Sequence, residues 1–150
     1  MSRFSPEVDV VLRESGWFPG RRTEIFRWKV SVPDFIWHAA AEKFLEEFGG
    51  INVHISGPGI TCAREPFEID PDLAIGEEGR FAELSELFGR RFFPLGEVGR
   101  GEFFLAIDEE GLMYLLATAV LSLGAADLAL ENLVTGVSAE RLSPPTGSGS

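Results

Sequence analysis

Two short clusters constrain this chain more than anything else in it: Gly16-Trp17-Phe18-Pro19-Gly20-Arg21 and, closing an amphipathic stretch, Phe48-Gly49-Gly50. The first is a turn. Pro19 sets its own φ, Gly20 permits the reversal, and Trp17 and Phe18 anchor it with apolar area. Arg21 is placed to pair with a carboxylate. The second is a helix stop, because glycine supplies the positive φ that other residues resist. It leads straight into strand-like sequence.

The rest of the chain divides around these clusters. Ser5 is a candidate cap for a first helix with Pro6 in its first position, and Val8, Val11 and Leu12 share one face before a stop at Gly16. Residues 23–32 fit either a helix or an extended segment, with Ile25, Phe26, Trp28, Val30 and Val32 among them. Residues 34–48 predict the clearest helix. Trp37, Ala41, Phe44, Leu45 and Phe48 line one face, and His38, Glu42, Lys43, Glu46 and Glu47 line the other. Residues 51–55 and 67–70 alternate apolar and polar like half-buried strands, which puts Glu68 and Asp70 opposite Phe67 and Ile69. Residues 78–88 predict a helix with Phe81, Leu84, Leu87 and Phe88 inward. Strands are expected at 92–95, 102–107 and 112–116, the last two joined through Asp108-Glu109-Glu110-Gly111. A closing helix covers 125–135, with Ala126, Leu130, Leu133 and Val134 inward.

Helices, then mostly sequential strands, then a last helix describe an α+β fold, with an antiparallel or mixed sheet packed against helices. Residues 1–136 are expected to form one domain, and the Pro-, Gly- and Ser-rich stretch within 137–150 a flexible tail. The uncharged run 111–126 is too short for a membrane span of ~20 residues and is interrupted by Gly124. It reads as a buried strand, a loop and a helix start. Cys62 is the single cysteine, so no internal disulfide forms, and the first residues lack the apolar core of a signal peptide. Both fit a cytoplasmic protein.

Charge excludes whole classes of partner. Thirteen Lys and Arg against 24 Asp and Glu give a net charge of −11, which disfavours direct binding to nucleic acid or to an anionic membrane. A basic protein partner is favoured, because complementary fields speed encounter. Acidity also simply keeps a protein soluble.

No catalytic constellation emerges. His38 and Glu42, four apart, are half of a metal site at most and read more simply as a solvated pair. His54 and Cys62 flank the Gly57-Pro58-Gly59 turn but lack an orienting group or an oxyanion site. Gly96-Glu97-Val98-Gly99-Arg100-Gly101 superficially resembles part of a dinucleotide fingerprint but joins strand to strand. No metal or cofactor is expected. Glu65, Glu68, Asp70 and Asp72, extended by Glu77 and Glu78, are the densest acidic group on strand-like sequence. They read either as a solvated face or as an interface for the Arg and Lys of a partner.

The two opening clusters belong to a longer pattern. Ala40-Ala41-Glu42-Lys43-Phe44-Leu45-Glu46-Glu47-Phe48-Gly49-Gly50, Phe67-Glu68-Ile69-Asp70-Pro71, Phe93-Pro94-Leu95-Gly96-Glu97 and Phe104-Leu105-Ala106-Ile107-Asp108-Glu109 follow in order. With Gly16 to Arg21 they resemble the SUKH superfamily, specifically its third subgroup of bacterial immunity proteins, from the first helix to about Gly136. The resemblance implies a curved central sheet flanked by helices and a helical turn within 23–32. It also implies function by binding rather than catalysis: neutralisation of a cognate, basic toxin, a nuclease or nucleic-acid deaminase, by stoichiometric inhibition. Some members of the superfamily are instead signalling or scaffold modules. Because the contact surface varies with the partner, Gly16, Trp17, Pro19, Gly20, Arg21, Phe48, Gly49 and Gly50 are implied to mark the scaffold rather than the site.

Overall fold

The computed structural model describes residues 3–145. In chain order it runs α1 (Pro6–Glu14), α2 (Phe26–Ser31), α3 (Ala39–Phe48), β1 (Asn52–Val53), β2 (Phe67–Ile69), a 3-10 turn at Pro71–Ala74, α4 (Glu78–Phe88), β3 (Phe93–Val98), β4 (Phe103–Ile107), β5 (Leu112–Leu116), β6 (Val120–Ala125), α5 (Ala126–Thr135) and β7 (Glu140–Leu142). The seven strands form one open sheet in the order of the chain, antiparallel at every step. This is an α+β architecture, and the antiparallel form of the sheet holds rather than the mixed one. The stretch within 23–32 is helical at α2.

The opening clusters meet at the end of α3. The buried Trp17 indole donates from Nε1 to Glu47 Oε2 at 2.9 Å and stacks on Phe48 at 6.1 Å between centroids. Phe4 closes on its edge at 5.3 Å. Arg21 does not pair with a carboxylate. Its guanidinium donates to two main-chain carbonyls, those of Glu47 at 2.7 Å and Gly49 at 2.8 Å, which a helix end would otherwise leave without partners. Desolvation by burial lowers the pKa of Arg21 from its ordinary value. Phe18, expected as a second anchor, is exposed; the turn rests on Trp17 alone.

Gly49 and Gly50 divide the stop between them. Gly50 has φ +85°, as a helix stop requires, but Gly49 has an ordinary φ of −60°. Glycine is needed at 49 for space: a Cβ there would lie 2.5 Å from the Leu45 carbonyl oxygen and 2.6 Å from the Trp28 ring. Gly50 then donates its N–H to the Ile69 carbonyl at 2.7 Å, tying the helix exit to β2.

Several boundaries differ from the expectation. Helix α3 starts at Ala39, not near residue 34, because His38 caps it: Nδ1 accepts the Ala41 N–H at 3.2 Å. That leaves Nε2–H to donate to the Arg91 carbonyl at 3.0 Å. Trp37 therefore precedes the helix and packs on Phe93 at 4.3 Å. Glu42 pairs with Lys29 at 3.0 Å while the His38 ring is held by main-chain groups, so the two side chains are committed to different partners. Leu87 of α4 faces outward, while Phe81 and Phe88 are buried. The run 111–126 holds a second strand, β6, where a loop was expected. The chain also does not become a tail at 137: β7 pairs with β6 through Leu142, Arg141 and Glu140. Residues 146–150 of the expected tail lie outside the described residues.

The far end of the core is organised by one carboxylate. Asp108 is fully buried and accepts from the Tyr114 hydroxyl at 2.7 Å, the N–H groups of Glu110 and Leu112, and Arg90 Nη1 at 3.1 Å. Burial and the hydrogen bond to Asp108 hold the Tyr114 pKa well above its ordinary value. A raised folded-state pKa contributes stability that is complete below the unfolded value of about 10 and is lost as pH rises above it. Tyr114 is the only tyrosine, so absorbance at the phenolate band should stay flat through pH 10–11 while urea-unfolding stability falls. Phenolate appearing near pH 10 in the folded protein would contradict this. At the other end, Arg21→Ala should cost about 2 kcal/mol in urea unfolding, as expected for hydrogen bonds to a charged donor. Arg21→Lys should recover only part of it, because lysine lacks the fork that spans two carbonyls.

Candidate partner-binding surface

The expected acidic group splits in the fold. Asp70 and Asp72 have internal work at the 3-10 turn. Asp70 Oδ1 accepts from the Trp28 indole at 3.2 Å and from the Asp72 N–H at 3.0 Å, and Asp72 accepts from the Ser31 hydroxyl. Glu78 accepts the Gly76 N–H at 3.2 Å, and Glu77 stands at the start of α4 with no side-chain capping bond. Glu65 and Glu68 remain, at the open end of β2.

That end is built by the β3–β4 hairpin. Gly99 donates its N–H to the Pro66 carbonyl at 2.8 Å, fastening the turn at 99–102 to the entrance of β2. Within the turn Arg100 has φ +59° and is the one non-glycine residue with positive φ among the described residues. Such a conformation costs energy for a side chain that cannot bond locally. It sets Arg100 beside Glu97 and Glu68 without an ion pair to either within 4 Å.

Register then opposes two carboxylates. Asn52, Glu68, Glu97 and Phe104 are successive partners across β1, β2, β3 and β4, so they share one face. Phe104 is covered by Phe81 of α4 at 5.6 Å. The acidic part of the row is uncovered and forms a hollow of about 270 Å³ lined by Asn52, His54, Glu68, Glu97 and Arg100. An adjoining hollow of about 380 Å³ shares His54, Pro66 and Arg100 and adds Glu65. Like charges directly opposite on antiparallel strands are destabilising. Among the described residues, none of Glu65, Glu68 and Glu97 accepts a side-chain hydrogen bond or joins an ion pair.

Sequence reasoning found Glu65 and Glu68 but missed Glu97, His54 and Arg100 as their neighbours. Glu97 sits in a glycine-rich run that reads as a turn, and only the pairing of β2 with β3 brings it opposite Glu68. His54 and Cys62 line different cavities, so the suspected pair does not share one site. Among the described residues, no three His, Cys, Asp or Glu side chains are grouped as a metal would require, and no helix is long and apolar enough to cross a membrane.

An open antiparallel sheet, backed by helices and carrying a polar hollow at one end, defines a small α+β binding domain. A model of the SUKH-3 immunity protein family matches residues 4–136, most of the chain, and the protein belongs to that family. Neither a search of curated proteins nor one of solved structures returns a match. The family match ends at Gly136, the cap of α5, while the sheet continues into β7.

The opposed pair gives a direct test of whether the acidic hollow is merely solvated. Glu68→Gln should leave the fold intact and raise stability by a few tenths of a kcal/mol, the size of a cross-strand pair, in urea unfolding. A loss of stability would mean that Glu68 has an internal role.

Proposed function

We propose that this immunity protein neutralises one cognate toxin by stoichiometric binding in the cytoplasm, without catalysis. The toxin is a basic protein that handles nucleic acid, a nuclease or a deaminase. The observation that carries the reading is the uncovered row of carboxylates, Glu68 and Glu97 with Glu65 beside them, unpaired among the described residues. A structural acid is paired inward, as Asp70, Asp72 and Asp108 are. Carboxylates left opposed and unpaired cost the free protein stability, which a basic partner relieves on binding.

The chain carries −11 overall, which supports long-range steering of a cationic partner. Nucleic-acid enzymes present arginine and lysine around their substrate channel, so an acidic protein seated there blocks the site by occupying the place of phosphate. Glu77, Asp72 and Asp70 extend the negative field, though the last two have internal partners.

The test is co-expression with the toxin encoded beside this chain. Restored growth and a one-to-one complex whose affinity falls as salt rises are expected. Reversal of the central pair, Glu68→Lys with Glu97→Lys, should weaken binding about tenfold or more, or about 1.4 kcal/mol. Full rescue by the reversed protein would remove the acidic row from the interface, and absence of any complex would remove the reading itself.

A further inference from the structure

The other face of the sheet, under α5, carries a cavity of different chemistry. Leu115 and Leu121 are paired across β5 and β6, Leu123 is unpaired at the β6 irregularity, and Leu133 comes down from α5. With Phe103 they floor a cleft of about 360 Å³, within the size range of real binding pockets.

One wall is the 62–65 segment, and it is pinned. Ile60 donates its N–H to the Thr135 carbonyl at 3.0 Å, and Thr61 and Cys62 donate to that of Gly136 at 2.9 and 3.0 Å, completing the end of α5. The approach demands glycine on both sides: a Cβ on Gly59 would lie 2.6 Å from Gly136 Cα, and one on Gly136 would lie 2.6 Å from Gly59 Cα. The cleft is thus held open by main-chain bonds rather than by adaptable side chains.

Its charge has one sign. Glu65 and Glu102 are the charged residues that line it; both are exposed, and no lysine or arginine joins them. Neither carboxylate has a hydrogen-bond or ion-pair partner among the described residues. Glu65 also borders the polar hollow on the opposite face, so the two surfaces are continuous around the 62–66 edge. A neutral or acidic occupant would desolvate those carboxylates without compensation.

Resting on the immunity reading, we propose that this cleft is the anchor pocket for a protruding segment of the toxin. That segment offers one large apolar side chain, preferably aromatic, with Lys or Arg within a residue or two. The apolar group fills the leucine floor and the cation reaches Glu65 or Glu102. Buried aromatic anchors beside complementary charge are the usual source of affinity at an interface.

Cys62 makes the test clean, being the only cysteine, exposed, and a lining residue of the cleft. A bulky maleimide on Cys62 of the full chain should weaken toxin binding at least tenfold. The same label on a Cys62→Ser, Glu14→Cys protein, at the exposed end of α1, should leave affinity unchanged. Glu65→Lys with Glu102→Lys should also weaken binding at least tenfold while urea unfolding matches the parent. If both the labelled and the reversed proteins bind with parental affinity, the cleft proposal is overturned and the immunity reading stands, because the complex still forms. If the unmodified chain forms no complex, both fall together.

Discussion

The first half of the molecule depends on how the end of α3 is sealed. Four groups converge there: the Arg21 guanidinium on two helix carbonyls, the Trp17 indole on Glu47, the Trp28 ring against Gly49, and the Gly50 N–H on Ile69. Each closes a main-chain or ring position that would otherwise face either solvent or a steric clash. Arg3 adds a clasp from outside, joining Glu47 on α3 to Asp127 on α5. The hydrogen bonds to Asp127 and Glu47 raise its pKa further above its already basic value. Because these groups come from the turn at 16–21, from α2, α3 and β2, the seal fixes how the helical layer meets the sheet.

The sealed scaffold fits the proposal that the partner surface lies elsewhere. Trp17 and Arg21 are committed to the helix end and have little left to offer a partner. The β3–β4 hairpin, by contrast, accepts a positive φ at Arg100, opposes Glu68 to Glu97 and leaves both unpaired. A protein gives up stability in this way at functional positions. The hairpin and the 62–66 segment form one edge with an acidic hollow on one face and an apolar, acid-rimmed cleft on the other.

Much of this was legible in the sequence where local chemistry decides. Helix α4 matches its expected span of 78–88 because its apolar period is strong and a glycine follows at 89. Strand β5 likewise matches 112–116, bounded by the Asp108–Gly111 turn. What escaped depends on distant partners. His38 caps α3 although Asp34, a better cap by type, precedes it, because the ring is also held by Arg91 from another part of the chain. Strand β6, with Ser122, Gly124 and Ala125, has weak strand character and is defined by pairing with β5. Strand β7 carries Glu140 and Arg141, ordinary for an edge strand but hard to tell from a polar tail. The family resemblance was readable through residues such as Trp17, Arg21, Gly49 and Gly50, which have structural work at the end of α3. The proposed site was half readable because one of its two central carboxylates, Glu97, is supplied by register.

Amide hydrogen exchange on the free chain and on its toxin complex separates scaffold from contact surface most directly. Protection gained on binding should concentrate at 52–54, 62–68 and 97–104, with residues 16–21 and 48–50 already protected and unchanged. Protection gained instead at 16–21 and 48–50, with the hairpin unaffected, would contradict the account by making the sealed helix end the binding site.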